Sequence, residues 1–392
     1  MIFVKKDDLK TGMRLARPIY NKNGVLLYER NSKLTAQGIN SIKNFGLIGI
    51  FVLEPAEPVP PMTQDDIDFE RFQTICVFSI QEELDRIIQT WKYYKIQTIT
   101  SSVIKNYGHL DRKINFIQSL RSKEDYIYKH SLNVAMLCAM IAHTMKVAVS
   151  DQLETVTAAI VHDIGKLSGG KNLWLQDSWT DEEKEQMRAA EIAGFGLLEH
   201  VFATTPNIKR ICMQAQSNLE CLEKGKPSEN AKMVIGARIL SVAETFDTMT
   251  AVQLDKNPES EVVAFKYLLD NSDFFDEKVV DALCNSINIL NPGVSVELNT
   301  GDKALVLAEN RRNILKPMLL TFKDNRIIDL SDRVYEGKIE ITDIMKTMDN
   351  RHVMDLSLLK KQGIKVEEPV YVGISEHGAY EEESEEYVPG MF

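Results

Sequence analysis

The sequence predicts a mainly α protein, a helical bundle flanked by a small N-terminal α/β module and a small C-terminal β module. From Asp65 to Leu290 apolar residues recur at helical spacing with few prolines, as in Val134, Leu137 and Ile141, or Ile239, Val242, Ala243 and Phe246. Before residue 53 and after residue 291 the apolar runs are short, β-rich and bounded by turn residues. Between the first module and the bundle stand Pro55, Pro58, Pro60 and Pro61, a spacing that favours an extended linker.

In chain order, residues 1–53 alternate the runs Ile2-Phe3-Val4, Val25-Leu26-Leu27 and Ile48 to Val52 with turns at Lys10-Thr11-Gly12 and Asn21 to Gly24. Between them Thr35 to Phe45 predicts one short helix stopped by Gly46. Residues 54–65 are the linker and residues 66–290 the bundle, in which Phe69 to Ser101 reads as one long helix or two. Residues 291–375 form the second small module. It opens at Asn291-Pro-Gly293 with the alternation Val294, Val296, Leu298, a turn at Gly301, and strand-like runs at Ala304 to Leu307 and Met318 to Phe322. Residues 376–392, with Glu381-Glu-Glu-Ser-Glu-Glu386 and no base, have the composition of a solvated tail.

Composition excludes several classes of function. The 392 residues carry 46 basic and 57 acidic side chains, a formal charge of −11 with no basic run, so a DNA or RNA polymer is not an expected partner. The longest uncharged stretch, Ser131 to Met145, falls short of the roughly 20 apolar residues of a spanning helix. The N-terminus does not read as a signal peptide, and the expected location is the cytoplasm. Cys76, Cys138, Cys212, Cys221 and Cys284 are odd in number, scattered and without a CxxC pair, which predicts reduced thiols rather than a disulfide framework or zinc knuckle.

The chemistry centres on Ala158-Ala-Ile-Val-His-Asp-Ile-Gly-Lys166, where an apolar run delivers His162 and Asp163 as neighbours and then presents Lys166. An imidazole and a carboxylate side by side suit borderline first-row ions such as Mn²⁺, Fe²⁺ or Zn²⁺, and a lysine can hold a phosphate oxygen as a point charge. Alone, a His-Asp pair is a weak signal, read as readily as a helix-end histidine with an acidic neighbour. His130 strengthens it, since it shares the apolar face of Val134, Leu137 and Ile141, where a histidine must find a partner. His143, on the same helix, is rotated away from that face. Glu244 and Asp247 lie three apart on one side of a later helix, and either could face the His-Asp pair. The result is a ligand set spread over three helices, a familiar way to build a metal site in a bundle.

With these residues in view the chain resembles the HD superfamily of metal-dependent phosphohydrolases, and within it the HD-GYP branch. The resemblance rests on Tyr128-Lys-His-Ser-Leu-Asn-Val134, His162-Asp-Ile-Gly-Lys166, Ala237 to Thr250 and Phe275 to Ala282, with further likeness at Leu9 to Ala16, Asn23 to Leu27 and Val296 to Leu307. It covers the chain to about residue 325. It implies a cyclic di-GMP phosphodiesterase fold, with His130, His162 and Asp163 as ligands of a first metal, Asp163 also as the bridge to a second, and Lys166 as the phosphate contact.

The departures from the family pattern are as informative. Where an Arg-x-His-Pro-x-x-x-Gly segment is expected, Met187 to Gly194 puts Ala190 in the histidine's place. Where His-His-Glu and Gly-x-Gly-Tyr-Pro are expected, Gln214 to Pro227 has no histidine, and none occurs between His200 and His352. The last ligand, normally Asp, is Glu244. A two-ion phosphodiesterase clamps the phosphoryl oxygens between its metals, and loss of the second set should abolish the second ion.

Two functional readings follow. In the first, His130, His162, Asp163 and Glu244 hold one Mn, Fe or Zn ion, Asp163 and Lys166 serve catalysis, and Lys166 binds a cyclic dinucleotide or another phosphate ester with weak or altered phosphodiesterase activity. In the second, the chain is a catalytically silent module that senses a nucleotide or docks a signalling partner, and His130 simply hydrogen-bonds Asp163. Protein partners and self-association fit either reading. His200 is read as an ordinary helix-end histidine, Trp174 and Trp179 as cap packing, and Arg188, Arg238 and Lys226 as surface charges.

Overall fold

The computed structural model describes residues 2–20, 26–44, 49–53, 63–119, 121–122, 125–169, 180–228, 230–251, 258–310 and 312–345. Most of the proline-rich linker, the turn at 21–24, Gly46, Trp174, Trp179 and the acidic tail lie outside these residues.

Strands β1 (Ile2–Lys5), β2 (Arg14–Leu15), β3 (Ile19–Tyr20) and β4 (Leu26–Tyr28), helix α1 (Ala36–Asn44) and strand β5 (Gly49–Leu53) build the N-terminal module. The strand order is β1-β5-β2, all antiparallel, with β3 and β4 paired separately. Gly49 is required where β5 meets β1, because a Cβ there would lie 2.4 Å from the Val4 carbonyl oxygen. Leu9, Leu15, Ile19, Leu34, Ile42, Ile50 and Val52 form a core of their own. The module touches the bundle through the Arg17 guanidinium, which donates to the Gln118 carbonyl.

Helix α2 (Gln64–Thr90) opens with a capping box, Thr63 Oγ1 accepting from Asp66 N–H while the Asp66 carboxylate accepts from Thr63 N–H. Phe69 to Ser101 is two helices. The chain turns at Trp91 in the left-handed conformation (φ 58°) and restarts as α3 (Ile96–Tyr107). No local residue caps α3. Glu83, buried in α2, does so instead, its Oε1 accepting from the N–H groups of Tyr94 (2.5 Å), Lys95 (2.7 Å) and Ile96 (3.1 Å).

Helix α4 (Tyr126–Thr144) is buried on nearly every side, as expected of a central helix, and packs against α2, α3 and α5 (Val149–Val161). After α5 come the short α6 (Ile164–Ser168), α7 (Asp181–Val201), α8 (Asn207–Glu223), α9 (Ile235–Thr250), α10 (Glu261–Asp270) and α11 (Glu277–Ser286). Glycines bring α6 and α7 into close contact. A Cβ on Gly165 would lie 2.6 Å from the Ala190 carbonyl oxygen, and one on Gly194 would lie 2.6 Å from the Gly165 Cα.

Strands β6 (Ser295–Leu298), β7 (Lys303–Ala308), β8 (Met318–Thr321), β9 (Ile327–Asp329) and β10 (Ile341–Ile344) form an antiparallel sheet in the order β10-β6-β7-β8-β9. Alternation along β7 sends Ala304 and Val306 into the bundle core, and Leu305 and Leu307 to the opposite face against Met318 and Leu320. The fold is mainly α with a small C-terminal sheet. All five cysteines are free, and among the described residues no helix is long and apolar enough to cross a membrane.

The remote cap at Glu83 has a measurable consequence. Glu83→Ala leaves one buried and two partly buried amide donors without their acceptor and is expected to lower unfolding free energy by about 1.5–3 kcal/mol in urea titration. A change within 0.5 kcal/mol would contradict the capping role.

Candidate metal centre

Helix α4 presents His130 inward, and the break between α5 and α6 presents His162 and Asp163. Asp163 sits at the N-cap of α6 yet makes no side-chain cap bond, so its carboxylate is free to face the histidines. The ligand atoms of His130, His162 and Asp163 all lie within 4.8 Å of one another, a group that could hold a metal ion.

Hydrogen bonds at the far side of each ring set the tautomers. His130 Nδ1 lies 2.6 Å from Asp247 Oδ2, and His162 Nδ1 lies 2.8 Å from the Ala159 carbonyl oxygen. Both acceptors require a proton on Nδ1, which in the neutral rings leaves both Nε2 atoms as lone pairs. Those two atoms face each other at 3.3 Å. The Asp163 oxygens stand 3.8 Å from His130 Nε2 and 3.6 Å from His162 Nε2. Two lone pairs and a carboxylate converging in a buried space repel unless a cation lies among them. The donor set, two imidazole nitrogens and a carboxylate oxygen with the outer ring nitrogens oriented by hydrogen bonds, fits a borderline divalent ion.

The orienting carboxylate, Asp247, is completely buried. Arg121 Nη2 reaches both its oxygens, at 2.8 and 2.7 Å, and Gln118 Nε2 and Asn133 Nδ2 each donate to Oδ1 at 3.0 Å. Gln73 in turn donates to Asn133 Oδ1 at 2.8 Å, and Arg121 lies over the Tyr126 ring. Burial pushes the Asp247 carboxyl up, but Arg121 and His130 more than offset it and hold the group well below the ordinary carboxylate range.

On the other side of Asp163, Lys166 Nζ lies 2.7 Å from Oδ1 and 3.9 Å from Glu191 Oε1. Burial favours the neutral amine, but Asp163, Glu244 and Glu191 outweigh it and raise the lysine. Asp163 responds in the opposite sense. Burial pushes it up, and Lys166 with the two imidazoles holds it well below its ordinary range. Burial pushes Glu191 up to about 7 despite the pull of Lys166, and Gln216 donates to its Oε2 at 3.2 Å.

The sequence-derived residues thus separate into groups. His130, His162, Asp163 and Lys166 meet in one place. Glu244 is buried on α9 and acts electrostatically on Lys166, but lies outside the mutually close ligand group. Asp247, one turn further on, takes His130 from behind. His130 therefore does not hydrogen-bond Asp163; its carboxylate partner is Asp247. Ala190 is buried against Gly169 at the crossing of α6 and α7. In the Gln214 to Pro227 stretch the polar groups have structural partners. Gln214 accepts from Val234 N–H, Asn218 donates to the Phe274 carbonyl, and Gly225 ends α8 with positive φ.

The other candidates lie elsewhere. His143 pairs with Asp111, His200 is exposed against Trp91, Arg188 pairs with Glu220, and Arg238 pairs with Asp276. Lys226 is exposed. Arg121, Gln118, Asn133 and Glu191 belong to the centre without having been singled out by sequence. Asn133, three residues after His130 on the same inward face, carried the one local signal.

Residues 115–279 match the family model of the HD domain. This part of the chain is an HD domain. Every residue of the centre lies inside it, and the family resemblance read from the motifs is borne out. The chain is 24% identical over 232 residues to the cyclic di-GMP phosphodiesterase PA4108 of Pseudomonas aeruginosa, covering 58% of this chain and 54% of the relative. It is likewise 24% identical over 232 residues to the cyclic di-GMP phosphodiesterase PdeB of Borreliella burgdorferi, covering 56% and 59%. The chain therefore spans little more than half the length of these curated relatives. A solved structure, the HDG"Y"P protein Bd1817 from Bdellovibrio bacteriovorus, matches at 12% identity over 72% of this chain and 97% of its own, with a TM-score of 0.39.

Two outcomes follow for the buried carboxylate. Arg121→Ala strands Asp247 without its cation and is expected to cost about 3–5 kcal/mol in chemical denaturation, where loss below 1 kcal/mol would refute the pairing. Because the folded Asp247 carboxyl titrates below its unfolded value, its stabilising contribution is complete above about pH 4 and disappears as pH falls through the lower folded value. The stability gap between wild type and Asp247→Asn should accordingly be constant from pH 5 to 7 and narrow below pH 4; a gap that widens in acid would contradict it.

Proposed function

We propose that the protein is a divergent phosphohydrolase of the HD-GYP type in cyclic di-GMP signalling, built around a single divalent ion held by His130, His162 and Asp163. One observation carries this reading, the two imidazole Nε2 atoms 3.3 Å apart beside the Asp163 carboxylate. The two relatives, both cyclic di-GMP phosphodiesterases by name, support cyclic di-GMP as the substrate class.

When bound, such an ion lowers the pKa of its water and polarises a phosphoryl oxygen. The chain's own residues do the rest. Asp247 and the Ala159 carbonyl fix both imidazoles in the ligating tautomer. Asp163 stays ionised through its contact with Lys166, and the Lys166 ammonium supplies the fixed positive charge for a phosphate oxygen. Without the second histidine set the phosphodiester is clamped on one side by this lysine alone, which predicts a weak or altered activity rather than an efficient one.

Elemental analysis of protein purified without chelator is expected to find about one equivalent of Mn, Fe or Zn, and less than about a tenth would refute the reading. Asp247→Asn should weaken that metal by about 10–100-fold while leaving the three ligands in place. Hydrolysis of an activated phosphodiester should require added Mn²⁺ or Fe²⁺ and fall to background in Asp163→Ala. Activity that persists in that variant contradicts the assignment, and cyclic di-GMP binding without product would favour a sensing module.

A further inference from the structure

Residues 115–119, which precede α4, belong to no helix or strand, so no ladder of backbone bonds fixes them. Two of their carbonyls are met instead by side chains from outside. Gln73 Nε2 of α2 donates to the Ile117 carbonyl at 3.1 Å, and the Arg17 guanidinium of the N-terminal module donates to the Gln118 carbonyl at 2.5 Å. Arg17 is itself seated on its module. Its Cζ lies 4.5 Å from the centroid of the Phe51 ring on β5, Phe51 packs edge-on against Phe3 of β1 at 5.5 Å, and the preceding Ala16 N–H donates to the Phe51 carbonyl at 2.9 Å.

The Gln118 side chain, on the other side of the same residue, is buried with every polar atom engaged. Nε2 donates to Asp247 Oδ1 at 3.0 Å and to Thr250 Oγ1 at 2.8 Å, while Oε1 accepts from Asn133 Nδ2 at 2.9 Å and Arg121 Nη2 at 3.2 Å. An amide held at both ends cannot turn to absorb a shift of its own backbone without breaking one of these bonds. Asp247 then passes the position on, since its Oδ2 lies 2.6 Å from His130 Nδ1. Three hydrogen bonds thus join the N-terminal module to the ring whose Nε2 faces His162.

We propose that Arg17 is a positioning residue for His130, so that docking of the N-terminal module on the bundle sets the affinity of the metal centre; that role rests on the reading of His130, His162 and Asp163 as metal ligands. Arg17 touches neither the ion nor a substrate, and acts through Gln118 and Asp247 alone.

Mn²⁺ affinity of the full-length chain is measured by titration calorimetry for wild type, Arg17→Met and Arg17→Lys, with circular dichroism to verify folding. Arg17→Met is expected to weaken Mn²⁺ binding by about 5–30-fold. Arg17→Lys should recover most of that loss, because the contact is one bond to one carbonyl rather than a bidentate fork. An unchanged affinity in Arg17→Met overturns the proposal. In a Gln118→Met background, where the step is already cut, Arg17→Met should change affinity by no more than about twofold, and a repeat of the full loss would overturn the route through Gln118.

A second readout needs no metal. In chelated protein the His130 Nδ1 proton resonance, carried downfield by the bond to Asp247 and assigned by its absence in His130→Gln, should move in Arg17→Met and return in Arg17→Lys. A resonance that stays in place refutes the link whatever the metal does. A wild type that binds no Mn²⁺ while this resonance responds to Arg17 refutes the histidine metal site and leaves the positioning of His130 standing. If Arg17→Met does not fold, Phe51→Leu removes the aromatic seat of the guanidinium and keeps an apolar side chain. It should give both changes in weaker form, and the absence of both would overturn the proposal.

Discussion

A fully buried carboxylate in the middle of a helical bundle is expensive unless every lone pair is answered, and Asp247 is answered from four directions. Arg121 supplies the charge, Gln118 and Asn133 supply amide donors, and His130 supplies an imidazole N–H. The donors come from two parts of the chain and the acceptor from a third. The stretch before α4 provides Gln118 and Arg121, α4 itself provides His130 and Asn133, and α9 carries the acceptor. Satisfying one acidic group therefore fixes the relative position of three segments. Its cost is offset only when all are in place, which makes the arrangement all-or-none rather than graded.

The same contact turns a structural pair into a chemical one. By accepting the hydrogen bond from His130 Nδ1–H, Asp247 leaves Nε2 of the neutral ring as the lone pair facing His162. The N-terminal module reaches this network by one step, since Arg17 donates to the carbonyl of Gln118, whose side chain holds Asp247. The second half of the centre follows another logic. There the small residues Gly165, Ala190 and Gly194 let α6 and α7 close on each other beside the Asp163–Lys166 ion pair.

Local features were legible in the sequence and remote ones were not. His162, Asp163 and Lys166 are contiguous, and His130 shares a helical stripe with apolar residues, so pattern alone brought them together. The separation of α2 from α3 was not decidable, because no glycine or proline marks it; the break is enforced by Glu83, which captures amides on the far side of the turn. Arg121 and Asp247 are 126 positions apart, and nothing in the local spacing of either reveals the other. Glu244 and Asp247 were equivalent on a helix face, and only packing distinguishes the carboxylate behind His130 from the one near Lys166. The short β9 and β10 lack enough alternating residues to announce themselves before a sheet gives them partners.

The central claim is that one ion, and not two, sits among His130, His162 and Asp163. Anomalous diffraction from crystals grown with Mn²⁺, recorded at the manganese edge, tests it most directly. The account predicts a single peak within about 2.0–2.3 Å of both Nε2 atoms and an Asp163 oxygen, with Lys166 still on the other oxygen. A second peak on the Lys166 side of Asp163 in the wild-type chain, or no peak at the histidines, would contradict it.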